Sequence, residues 1–123
     1  MKRILLINDS QDLLELMGTL LHAQGYEPIL RSYPILNLSM IEALEPDLII
    51  LDLAMPVMTG LDAASVLKKM LPARLLILFT VHEGREVANL ALAAGIHAVV
   101  SKTQAAATLI TQAQVLLAKC KVV

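Results

Sequence analysis

Three runs of this sequence are apolar without alternation: RILLI at Arg3–Ile7, LIIL at Leu48–Leu51 and LLILF at Leu75–Phe79. A strand with one wet face alternates apolar and polar residues. A strand covered on both faces does not. Such runs, separated by long stretches of another periodicity, point to a sheet between two helix layers. The stretches between them are helical in pattern. Leu13, Leu14, Leu16, Met17, Leu20 and Leu21 recur at helical spacing, and Gly25 ends that helix. Glu27–Arg31 reads as a weaker strand, and Pro28 confines it to a sheet edge. Ser32 and Pro34 open a helix running to about Leu44. Leu61–Met70 and Glu83–Ala94 are helical, the latter stopped by Gly95. Ala98–Val100 is a short fifth strand. Leu109, Ile110, Ala113, Leu116, Leu117 and Cys120 mark one face of a last helix.

The pattern is (βα) repeated five times. It predicts an α/β fold in three layers: a doubly wound, five-stranded parallel sheet of order 2-1-3-4-5. Residues 1–123 are read as one domain.

Composition removes several functions. The net charge of −1 gives no bulk attraction to nucleic acid or to a membrane surface, and 2% aromatic residues leave no base-stacking platform. Mean hydropathy is high, at +0.69. Even so, no stretch reaches the roughly 18 apolar residues of a spanning helix. The apolar part of the N-terminus, Ile4–Ile7, is too short for a signal peptide. The expected location is cytoplasmic. Cys120 is the only cysteine, which excludes an intrachain disulfide and a cysteine cage.

Ligands of such sheets bind beyond the carboxyl ends of the strands. The residues there are Asn8-Asp9 after strand 1, Asp52 after strand 3, Thr80 after strand 4 and Ser101-Lys102 after strand 5. In the order 2-1-3-4-5 they share one edge. Two close carboxylates repel unless a cation intervenes, and a hard divalent ion with oxygen ligands supplies it. A carboxylate can also act as a nucleophile and form an acyl phosphate. An ammonium and a hydroxyl would then hold the phosphoryl oxygens.

These residues carry a resemblance. ILLIND, LIILDLAMPVMTG, LFT and VVSK stand in the order and spacing of a response regulator receiver domain, over nearly the whole chain. The resemblance implies a signalling phosphoacceptor, not a turnover enzyme. Asp52 would take a phosphoryl group from a histidine kinase or phosphotransfer protein. Mg²⁺ would be held by Asp9, Asp52 and the Ala54 backbone carbonyl, with Asn8 contributing through a water. Thr80 would be the switch hydroxyl and Lys102 the phosphate-pairing lysine. The output face would comprise the fourth helix, fifth strand and fifth helix, including Ala88, Leu92 and Val99, and could pair two copies. No nucleic-acid or membrane partner is expected within these residues.

Four positions depart from the family pattern. Asn8 stands where an acid is usual, which implies weaker Mg²⁺ binding. Val81 follows the switch threonine in place of a small residue. Val99 replaces the switch aromatic and cannot swing as a ring does. Thr103 replaces a common proline. These departures sustain an alternative, a degenerate pseudo-receiver acting as a phosphorylation-independent interaction module. A haloacid-dehalogenase-type phosphatase would need a second acid two residues after the nucleophile, where this chain has Ala54. Asp9 has a further reading as the N-cap of the first helix.

Overall fold

The computed structural model describes residues 2–8, 10–32, 38–52, 69, 75–80, 89, 92–93, 95–101 and 106–119. The strands are β1 (Arg3–Ile7), β2 (Glu27–Arg31), β3 (Leu48–Asp52), β4 (Leu75–Thr80) and β5 (Ala98–Ser101). The helices bounded within the described residues are α1 (Gln11–Ala23), α2 (Leu38–Leu44) and α3 (Ala106–Lys119), the last being the fifth helix expected from sequence. The five strands form one sheet of order β2-β1-β3-β4-β5, all pairs parallel. Of the anticipated start of the second helix, Ser32 is not helical and Pro34 lies outside the described residues, as do nearly all of Leu61–Met70 and Glu83–Ala94. Lys69, Asn89, Leu92 and Ala93 are helical.

The unalternated strands are buried on both sides, as their composition requires. Ile4, Leu6, Leu48, Ile50, Ile77 and Phe79 belong to a core completed by α1 and α3. The alternate residues Leu5, Ile49, Leu51, Leu76 and Leu78 are equally buried, so the other face is covered too. Strands β3, β4 and β5 each run one residue past the apolar run that announces them. Asp52 pairs with Phe79, and Thr80 pairs with Ser101. Backbone pairing does not stop where hydrophobicity does.

Helix α1 is bounded by its own sequence. Ser10 is the N-cap: its Oγ accepts the Leu13 N–H at 3.3 Å and its carbonyl accepts the Leu14 N–H at 3.0 Å. Asp9 is therefore not the capping residue. At the other end Gly25 has φ 89°, its N–H donates to the His22 carbonyl, and the Tyr26 N–H donates to the Leu21 carbonyl. This is the Schellman closure that a left-handed glycine allows. Gly18 lets α1 lie close to β2, because a Cβ there would stand 3.2 Å from Leu30 Cδ2.

Strand β2 is an edge, as Pro28 suggests. Its ladder to β1 uses the Glu27 N–H and the Arg31 carbonyl, which leaves residues 28 and 30 turned outward. Pro28 has no N–H, and the Arg31 guanidinium takes the Leu30 carbonyl at 2.8 Å. At the amino end of the sheet Arg3 ties three elements together. Its N–H donates to Asp47 Oδ2, its Nη1 donates to the Leu44 carbonyl at the end of α2, and its Nε pairs with Glu27 at 3.1 Å.

Candidate site at the carboxyl ends of the strands

The strand order decides which residues can meet. Asp52 is the last residue of β3, which lies between β1 and β4. The last pair of β1 and β3 is Ile7 with Leu51, so Asn8 and Asp52 come next in register. Adjacent strands are about 4.8 Å apart, so these two backbones are neighbours. Thr80 and Ser101 end β4 and β5 as a register pair. The backbones of Asn8, Asp52, Thr80 and Ser101 thus share one sheet edge, with Lys102 next along the chain. Asp9, Ala54 and Lys102 lie outside the described residues, as do Val81 and Thr103.

Asn8 is the site residue whose surroundings are most fully defined. It is 5% exposed, the only buried polar residue among those described. Its N–H donates to the Arg31 carbonyl at 3.2 Å, so pairing with β2 reaches past the end of β1. Its Oδ1 accepts the Ser10 N–H at 2.8 Å. That bond closes an Asx turn over the position of Asp9 and delivers the chain to the cap of α1. Asn8, Ser10 and the start of α1 form one continuous hydrogen-bonded corner. The residue expected only as a weakened metal group thus also forms the turn that leads into the Ser10 cap.

After these strands the sequence places carboxylates at residues 9 and 52 and a carboxamide at residue 8. That set fits a hard divalent cation such as Mg²⁺ and not a soft one. Among the described residues no three of His, Cys, Asp and Glu gather as metal ligands. His22 is exposed on α1. His97 is used structurally, its Nδ1 accepting the Leu76 N–H at 3.1 Å. Of the expected output residues, Leu92 is 75% and Val99 37% exposed, while Ala88 lies outside the described residues. Among the described residues no helix is long and apolar enough to cross a membrane.

Comparison with known proteins agrees with this geometry. A family model, the response regulator receiver domain, matches residues 4–114. The structure of the response regulator TrrA from Thermotoga maritima, in complex with Mg²⁺-BeF, superposes with a TM-score of 0.83 at 28% identity, covering 94% of this chain and 99% of that one. A receiver domain protein from Clostridium thermocellum gives a TM-score of 0.87 at 27% identity, covering 98% of each chain. The DNA-binding response regulator MtrA of Mycobacterium leprae is 33% identical over 67 residues, which are 54% of this chain and 30% of MtrA. The match thus spans under a third of that curated relative.

Proposed function

The chain belongs to the response regulator receiver domain family, and from that premise we propose that Asp52 is its phosphoacceptor, charged by a histidine kinase or phosphotransfer protein. The Asp52 carboxylate attacks phosphorus. A P–O bond forms, the P–N bond to the donor's histidine breaks, and the imidazole keeps the electron pair. Slow hydrolysis of the acyl phosphate returns the carboxylate. Mg²⁺ would be held by Asp9, Asp52 and the Ala54 carbonyl; when bound it neutralises the charge crowding at the strand ends. Lys102 pairs with a phosphoryl oxygen, and the Thr80 hydroxyl donates a hydrogen bond to another and passes the change on.

The observation that most supports this reading is the register. It brings the carboxyl ends of β1, β3, β4 and β5 to one edge, with Asp52 on a central strand. The whole chain acts as one cytoplasmic receiver unit, and the exposed Leu92 and Val99 belong to its output surface, where two copies can pair. The test is intact mass after treatment with acetyl phosphate and Mg²⁺. The expected result is the gain of one phosphoryl group, abolished by chelation of Mg²⁺ and by Asp52→Asn. An unchanged mass in a folded sample would overturn the proposal and favour a phosphorylation-independent interaction module.

A further inference from the structure

Asn8 occupies the one position of the strand-end edge where the residue is described, buried and polar. Its amide orientation follows from chemistry. A backbone N–H needs an acceptor, so the atom 2.8 Å from the Ser10 nitrogen is the oxygen. The other end of the amide, Nδ2, carries two N–H donors with no hydrogen bond to a described residue. On its helix side Asn8 borders a small cavity lined by Leu13, Leu14, Met17, Ile50 and Phe79, all apolar. Toward the strand ends Nδ2 has polar company, and there Asp52 is next in register.

We propose that Asn8 serves this site as a hydrogen-bond donor to the phosphoryl oxygens at the end of β3, and not as an oxygen ligand to the metal or its water. The inference rests on the reading of Asp52 as phosphoacceptor. An acid at this position would only accept hydrogen bonds and would repel a phosphoryl dianion. A carboxamide attracts that dianion and leaves metal binding on the β1 side to Asp9 alone. The site exchanges cation affinity for direct anion recognition.

Two titrations on the full chain separate the roles: Mg²⁺ alone by calorimetry, and beryllofluoride, a phosphoryl mimic, at saturating Mg²⁺. Asn8→Asp keeps an acceptor for the Ser10 N–H, so the corner is preserved while the donors are removed. The donor role predicts that Asn8→Asp tightens Mg²⁺ and weakens beryllofluoride about tenfold, because a hydrogen bond to a charged group is lost and a negative charge is added. Asn8→Ala, checked for folding by its melting curve, weakens beryllofluoride similarly and leaves the Mg²⁺ Kd within about twofold. The inference is overturned if Asn8→Asp tightens both ligands, or if Asn8→Ala weakens Mg²⁺ and spares beryllofluoride. If the wild type takes up no beryllofluoride at any Mg²⁺ concentration, the phosphoacceptor reading falls and the inference falls with it.

Discussion

Gly18→Ala is a sharp probe of how α1 sits on the sheet. Glycine inside a helix is less favourable than alanine by about 1 kcal/mol, so the exchange begins as a gain. Against it stands one contact: the new Cβ would lie 3.2 Å from Leu30 Cδ2 and 3.4 Å from Cδ1. Ordinary carbon contacts begin near 3.5 Å, so Leu30 must retreat by a few tenths of an ångström. Leu30 is only half-buried, and it borders an open groove with Glu15, Thr19, His22 and Pro28. Its isobutyl tip can move into that space for about 0.5 kcal/mol, the low end of off-rotamer costs. The net is a stabilisation of about 0.5 kcal/mol, or roughly 2 °C in Tm. Urea unfolding followed by circular dichroism reads it directly. In a Leu30→Ala background the contact is gone, and Gly18→Ala should recover the full gain of about 1 kcal/mol, a coupling of about 0.5 kcal/mol. A loss above about 1 kcal/mol, unrelieved by Leu30→Ala, would refute the reasoning.

Other expectations follow from single features. Ser10→Ala should cost about 1 kcal/mol in unfolding experiments, because it removes the cap acceptor for the Leu13 N–H. Gly25→Ala should cost about 1 kcal/mol through backbone strain alone: φ is 89° and nothing lies within 4 Å of the added Cβ. His97→Ala leaves the Leu76 N–H without its Nδ1 acceptor and should cost about 1 kcal/mol, read by thermal melting. Leu92→Ser should leave stability within about 0.5 kcal/mol, since Leu92 is 75% exposed, yet lower any self-association seen by sedimentation.

The sheet and its order were legible because burial on both faces leaves an unmistakable apolar run, and because parallel crossovers allow few topologies. What stayed hidden was local competition. Asn8, Asp9 and Ser10 are three successive residues of good capping type. Nothing in composition says that the first still pairs with Arg31, which passes the cap to the third. The bond between His97 and Leu76 joins residues 21 apart, and a lone histidine gives no hint of it. The site was legible as backbone, since each strand end carries its polar residue. The hydrogen-bonding role of the Asn8 amide was not, because the choice between oxygen and nitrogen is made by a neighbouring main-chain group.

The β2 flank has a consequence for how molecules of this kind can meet. With no donor at Pro28 and the Leu30 oxygen already engaged, that side keeps only the Pro28 carbonyl and the Leu30 N–H for an incoming strand. Sheet growth from a second copy, or from a partly unfolded one at high concentration, is steered to the opposite flank at β5. Contacts made elsewhere on the molecule must be between side chains, and those are the contacts that a signalling state can make and break.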